Sequence, residues 1–170
     1  IVNPDGSMAV PPFTVYNAQD ITGDGQIDIR YYDPGMAVYN GTQILLAASR
    51  YSDLELNFRI VYKILDGTSG EVIVNEDYSR PWFGSAPDAV QLLNSQGLLA
   101  WSNQNMDVSY VLLDANGNLE QGPVDLSTSM PDDRPQASVS VANDRHGNGI
   151  LTWLDGYDNR LYYALVGSDG

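Results

Sequence analysis

Cysteine is absent from the 170 residues. No disulfide, thiolate metal site or cysteine nucleophile is therefore open to this chain. Secretion is not excluded, because a large β core needs no covalent staples. Lysine occurs once, at Lys63, and histidine once, at His146. Eight basic residues face 22 acidic ones, for a formal charge of −14. That balance repels phosphate backbones and argues against a nucleic-acid partner. It suits divalent cations and keeps a protein soluble where salt screens self-repulsion. Long hydrophobic runs are also missing. Nothing approaches the ~18 apolar residues that a membrane helix needs, so no membrane span is expected. The chain opens without a signal peptide or an initiator Met, and reads as a processed or excised piece.

What is present is a core-forming share of apolar residues, 43 %, within the ordinary range for a folded domain. These residues recur at a fixed period. The segments ILLAASR (44–50), GLLAWSN (97–103) and GILTWLD (149–155) align on Ala48, Trp101 and Trp153. Each is followed by a second apolar run: 56–65, 108–115 and 160–166. Each is preceded by a short one: 36–39, 88–93 and 137–142. Third runs follow at 71–75 and 119–126. Asn40-Gly41, Asp66-Gly67, Asn116-Gly117 and Asp155-Gly156 are turn pairs suited to positive φ. The runs are rich in Val, Ile, Leu and Tyr, and none sustains a helical period.

The expected fold is thus all-β, with about four short antiparallel strands in each unit of roughly 50 residues. In LYYALV (161–166) and YVLL (110–113) both alternate sets of residues are apolar, which predicts strands buried on both faces. Four-stranded units packed on both sides at this period describe a β-propeller-like repeat. The units are expected at roughly 1–33 (a partial blade), 34–79, 80–133 and 134–170, about three blades plus a partial one. Trp101 and Trp153 are expected to pack between blades. Three units are too few for a closed ring of ~4–8 blades. Either an adjoining chain segment or further copies of the chain would complete it, because an unpaired edge is an aggregation hazard.

One stretch carries possible chemistry: DITGDGQID (20–28). Oxygen-bearing side chains fall at Asp20, Thr22, Asp24 and Asp28, and Gly25 sits where a tight loop turns back. Calcium takes six to eight hard oxygens, and a spacing of two aims successive oxygens into one concavity. Three carboxylates so close favour a cation. Tyr31 stands where an EF-hand would place its bidentate Glu, so this is no EF-hand. The alternative is an acidic glycine-rich hairpin with no ion. The stretch DITGDGQIDI (20–29) resembles the D-x-N-G-D-G-x-x-D-[LI] loop of FG-GAP repeats, the calcium-binding blades of integrin-α-type propellers. Thr22 stands where those repeats usually carry Asn or Asp. The resemblance implies a Ca2+ held by Asp20, Thr22, Asp24, the Gln26 carbonyl and Asp28. Residues 80–170 more loosely resemble the Trp-containing repeats of large bacterial surface proteins.

Other stretches are weaker. DANGNLE (114–120) alternates Asp114, Asn116, Asn118 and Glu120, but an Asn-Gly hairpin of type I′ needs no ion. In MPDDRP (130–135) adjacent carboxylates diverge, whereas glycosidase carboxyls sit ~5–9.5 Å apart across a sugar. Arg80-Pro81 and Arg134-Pro135 recur at equivalent places, which favours a structural ion pair. His146 lies in a turn and builds no triad. Trp82-Phe83 either stacks on a sugar or plugs a gap between blades.

The function expected is a non-catalytic, calcium-stabilised, extracellular or cell-surface propeller segment for adhesion, self-assembly or glycan binding. A surface protein is a further possible partner. The alternative is part of a propeller-fold polysaccharide lyase or glycosidase.

Overall fold

The computed structural model describes residues 5, 14–75, 84–103, 107–126, 136–144, 146–155 and 159–167. Among the described residues, eleven strands form three antiparallel sheets, and every strand pairs with its sequence neighbour within its sheet. The first sheet holds β1 (Ile29–Tyr39), β2 (Gln43–Ser52), β3 (Asn57–Asp66) and β4 (Val72–Asn75). The second holds β5 (Gly84–Gln91), β6 (Gly97–Asn103), β7 (Val108–Leu113) and β8 (Leu119–Asp125). The third holds β9 (Gln136–Asn143), β10 (Gly149–Asp155) and β11 (Leu161–Val166). Among the described residues no helix is long and apolar enough to cross a membrane. β1 begins at Ile29, so the acidic loop runs straight into the first sheet. Arg80, Trp82, Phe83, Asp132, Asp133, Arg134 and Gly156 lie outside the described residues.

The sheets stack in chain order, because the middle one is apolar on both faces. Every residue of β7 is buried. Along β6 and β7, Leu99, Trp101, Val111 and Leu113 pack against Tyr39, Leu45, Ala47, Ile60, Tyr62 and Ile64 of the first sheet. The alternate residues Leu98, Ala100, Val108, Tyr110 and Leu112 pack against Val139, Leu151, Trp153 and Val166 of the third. The period-2 alternation of a strand separates the two sets. Trp101 and Trp153 fill the space between sheets, as expected, each facing the preceding sheet. β1 packs against β5 and β5 against β9, whereas β4 and β8 are not packed together in this way.

The register shows that the sheets are copies. Three cross-strand pairs recur on the face turned toward the next sheet. They are Leu45–Ile64, Leu98–Leu112 and Ile150–Leu165; then Ala47–Tyr62, Ala100–Tyr110 and Thr152–Tyr163; then Ser49–Ile60, Ser102–Val108 and Leu154–Leu161. On the opposite faces of the second and third sheets, Gly97 and Gly149 take the matching place. A Cβ on Gly97 would lie 2.9 Å from Tyr39 Cε2 and 3.1 Å from Leu45 Cδ2, and one on Gly149 would collide with Leu98 Cδ2. Glycine leaves room there for side chains of the neighbouring sheet, Tyr39 and Leu45 at Gly97 and Leu98 at Gly149. The first strands share a bulge as well: the pairing shifts at Tyr32/Gly35, Ser85/Asp88 and Thr152/Leu154. Asp33, Ala86 and Ser138 carry the positive φ at those bulges, 49°, 50° and 56°. Such bulges bend a strand and increase its twist.

Polar contacts pin the stack. Tyr62 Oη donates to Gly117 O at 2.8 Å, Tyr39 Oη to Asp114 O, and Asn40 Nδ2 to Ala115 O at 3.2 Å. Asn143 Nδ2 donates to Gln91 O at 2.9 Å. Asp88 Oδ2 accepts from Val141 N at 3.0 Å and Ser140 Oγ at 3.1 Å. Burial pushes the Tyr39 hydroxyl up to about 12, with Asp114 adding to it.

Two expectations need correcting. LYYALV is not buried on both faces: Tyr162, Ala164 and Val166 pack inward, whereas Leu161, Tyr163 and Leu165 are 73 %, 72 % and 62 % exposed. Among the described residues, no fourth sheet covers them. The turns also differ. Asn40 and Gly41 do take positive φ, but Asp66-Gly67 does not, and at 116–117 only Gly117 does. The Asn116-Gly117 turn is therefore not type I′, which needs positive φ at both residues.

The three equivalent tyrosines provide a matched test of the stack. In urea denaturation, Tyr62→Ala and Tyr110→Ala should each cost about 3–5 kcal/mol, the range for truncating a large buried aromatic. Tyr163→Ala should stay within about 0.5 kcal/mol, as for a surface change. Equal losses at all three positions would contradict the described exposure of Tyr163.

Candidate functional site: the acidic loop

The loop 20–28 is closed at its base by Gln19, whose N–H donates to Ile29 O at 3.2 Å. Gln19 O accepts from Asp28 N at 2.8 Å and Ile29 N at 3.0 Å. Asp53 N donates to Asp28 O at 2.8 Å, tying the loop to the turn after β2. Arg30 and Asp53 add an ion pair at 2.9 Å across the same junction. Gly23 and Gly25 take φ of 75° and 85° with open space around them. Backbone conformation, not crowding, is what requires glycine at both places.

The carboxylates turn inward on the loop's own N–H groups. Asp28 Oδ2 accepts from Ile21 N at 2.7 Å, Thr22 N at 2.8 Å and Thr22 Oγ1 at 3.1 Å. Asp20 Oδ1 accepts from Gly23 N at 2.6 Å, and its Oδ2 from Gly25 N at 2.9 Å. Asp24 Oδ1 accepts from Gln26 N at 2.8 Å. The loop is exposed from Asp20 to Gln26, and Asp28 is buried at its foot. The Thr22 N–H, more than offsetting the cost of burial, holds the Asp28 carboxyl below its ordinary value of 3.8.

Of the five residues expected to hold calcium, Thr22 and Asp28 are brought together; Asp24 and Gln26 meet through the Gln26 N–H, and Asp20 bonds instead to the N–H groups of Gly23 and Gly25. Among the described residues, no three or more His, Cys, Asp or Glu side chains are grouped so as to hold a metal ion. The donor set is still of calcium's kind, all oxygen and largely anionic. A carboxylate offers about four acceptor directions, and Asp24 uses one oxygen in the loop, so capacity remains. The residues match the ion in donor chemistry and in sequence spacing, but their carboxylates are not gathered around one point in the structure. Convergence would require the carboxylates of Asp20, Asp24 and Asp28 to turn from their present donors toward one point.

The other acidic turns are built on the same device and need no ion. Asp114 Oδ1 accepts from Asn116 N and Asn118 N, both at 2.9 Å, and Asn118 Nδ2 donates to Oδ2 at 3.0 Å. Asp144 holds His146 N at 2.7 Å and Asn148 N at 3.0 Å in the same way. Asp66 accepts from Thr68 N at 2.8 Å and Ser69 N at 2.7 Å. Glu120 is drawn away from its turn by Gln96 Nε2, at 2.6 Å. His146 is exposed in its turn, as expected.

Sequence reasoning missed the tyrosine at the centre of each repeat (Tyr62, Tyr110, Tyr163) and the bridging Asp88. The 53-residue step from Ala48 to Trp101 also joins Tyr110 to Tyr163, but Tyr62 lies 48 residues before Tyr110, so only the strand register reveals all three as equivalent. Asp88 has no such signal.

No protein family and no curated protein matches this chain. Solved structures similar in shape include these two. One is a protein of unknown function from Dyadobacter fermentans, 14 % identical, with a TM-score of 0.49, covering 81 % of this chain and 54 % of that one. The other is described as a "putative exo-beta-1,3-galactanase" from Bifidobacterium bifidum, 10 % identical, with a TM-score of 0.46, covering 81 % and 48 %. The chain thus spans about half the length of the solved structures it matches.

The turn carboxylates set the response to acid. Asp28, Asp66, Asp114 and Asp144 all lie below their ordinary 3.8 in the folded chain. Their contribution is complete above that value and is lost as pH falls through the lower folded values. The urea midpoint should hold down to about pH 5 and drop below about pH 4. Asp114→Asn keeps an acceptor oxygen but not the charge, and should flatten part of that drop. An unchanged acid limb in this variant would remove Asp114 from the account.

Proposed function

We propose that this chain is a non-catalytic, calcium-stabilised β-propeller segment of the extracellular or cell-surface kind, serving adhesion, surface assembly or glycan binding. The observation that carries the reading is the one-way stacking of three copied sheets with their first strands adjacent. Packing of β1 on β5 and β5 on β9, without like packing between β4 and β8, is the fan expected of blades around an axis. The bulges at Asp33, Ala86 and Ser138 recur on those first strands, where curvature is needed.

The calcium part rests on the acidic loop. Asp20, Asp24 and Asp28 would supply carboxylate oxygens, with the Thr22 hydroxyl and the Gln26 carbonyl completing the set. The ion would stiffen the junction between the loop, β1 and the turn after β2, where Asp28 and Arg30 already meet Asp53. A net charge of −14 raises the local concentration of divalent cations. A chain without cysteine that is stabilised by a hard cation suits a compartment rich in that cation.

Thermal melts in calcium and in chelator test this reading. A ligand held only by the folded state raises stability by RT ln(1 + [L]/Kd), about 2.7 kcal/mol at a hundredfold excess over Kd. Calcium should raise Tm, Asp24→Asn should abolish the rise while leaving the chelated Tm nearly unchanged, and Asp28→Asn should lower both. Equal midpoints with and without calcium would end the calcium proposal. Unsaturated or reducing-end products from acidic or neutral polysaccharides would end the non-catalytic one.

A further inference from the structure

Each sheet turns one apolar face toward the next sheet in the chain. The first sheet presents Leu45, Ala47, Ile60, Tyr62 and Ile64, none more than 1 % exposed. The second presents Leu98, Ala100, Val108, Tyr110 and Leu112, none more than 4 % exposed. The third presents the same ladder, Ile150–Leu165, Thr152–Tyr163 and Leu154–Leu161, in the same register. Here Leu161, Tyr163 and Leu165 stand largely in water. Where the first two sheets carry Ser49 and Ser102 the third carries Leu154, and where they carry Ala47 and Ala100 it carries Thr152, so its face keeps the same apolar character. A strand that needed only to meet solvent on one side would alternate apolar with polar residues. β11 does not.

We propose that this face is a docking surface for a fourth antiparallel sheet of the same repeat. The two covered interfaces specify what the occupant must carry. Both covering strands read Gly-x-Leu-x-Trp: Gly97, Leu99 and Trp101, then Gly149, Leu151 and Trp153. In each, the glycine receives a leucine of the preceding sheet, Leu45 over Gly97 and Leu98 over Gly149. Ile150 holds that place in the third sheet, so the occupant carries a glycine opposite Ile150 and a tryptophan two places beyond its leucine.

A second copy docking head to tail does not meet this requirement. The outward face of the first sheet has Ile44 and Ala48 where the glycine and tryptophan belong. That face is also already covered, with Ala48, Arg50, Val61, Lys63 and Leu65 all buried. Tyr16 lies over Lys63, whose Nζ is 4.4 Å from the ring centroid and donates to Val15 O at 2.8 Å. The inference deepens the propeller reading and rests on its serial stacking, not on the calcium loop.

The test appends a second copy of residues 127–170 after Gly170, so that an added Gly-x-Leu-x-Trp strand is within reach. Leu165→Cys in the first copy supplies the one thiol of an otherwise cysteine-free chain. In the 170-residue chain, this thiol should react with a maleimide at nearly the rate of a free one. In the extended chain it should react at least about tenfold more slowly, because a covered thiol reacts only through opening. Gly149→Leu in the added copy alone should restore the fast rate. Hydrogen exchange on the extended chain without the cysteine should show the same protection across β10 and β11. A fast rate in the extended chain overturns the proposal, whether the added unit fails to fold or docks elsewhere. Protection of the thiol in the 170-residue chain that grows with concentration also overturns it, in favour of face-to-face pairing of two copies. Loss of the calcium effect with the thiol still protected would sink the calcium reading and leave this one standing.

Discussion

The second sheet must be covered on both sides, and that requirement organises the molecule. Along β6 and β7, residues that alternate in direction are apolar or small, with Ser102, Asn103 and Ser109 the polar exceptions, and all are buried except Asn103 at the strand end. A single sandwich cannot satisfy such a strand, because one of its faces would meet water. Three layers are the minimum, and stacked sheets sit about 10 Å apart. The first and third sheets are therefore the two walls that the second requires. Truncation of the stack on either side would expose Trp101 or Tyr110.

The stack also has a direction, because the two faces of a sheet do different jobs. The face toward the next sheet projects leucine or isoleucine beside a central tyrosine. The face toward the preceding sheet is hollowed by glycine and filled by tryptophan. Leu45 entering the space above Gly97 is a steric key, and Leu98 above Gly149 repeats it. Tyr62 then reaches through the apolar layer to the Gly117 carbonyl. A buried hydroxyl without a partner would cost about 1–3 kcal/mol, so that bond fixes how far the sheets slide on each other. Asp88 does the same between the second and third sheets, by accepting from Ser140 and Val141.

Much of this was legible in the sequence, for physical reasons that differ from residue to residue. Trp101 and Trp153 betrayed the repeat because only a large aromatic fills the gap left opposite a small residue. The strands were legible because β-branched and aromatic residues cluster between turn residues. The exposure of Tyr163 was not legible. A sequence records that a face is apolar, and says nothing of whether a neighbour is present to cover it. The bulges were hidden for another reason: Asp33, Ala86 and Ser138 share a backbone angle and no side-chain chemistry. The turns misled because Asn116 and Asp66 offered the right dipeptides, while the Asp114 and Asp66 carboxylates drew the backbone into a different closure.

The acidic loop is where spacing alone was least informative, and the reason is electrostatic. An N–H donor and a hard cation both satisfy a carboxylate oxygen, and both favour its charged form. The spacing that would aim Asp20, Asp24 and Asp28 at an ion also sets each within reach of backbone N–H groups in a glycine turn. The structure uses the second option for every one of them. That choice does not oppose the first. The donors keep Asp28 ionised well into acid, which is the state that a hard cation requires. They also hold the turn at Gly23 and Gly25 in place before any ion arrives. An ion entering such a loop would spend little on ordering the chain, and would have to compete with the donors held by Asp20, Asp24 and Asp28. Competition with the N–H donors, rather than residue spacing, is what separates this hairpin from an ion site.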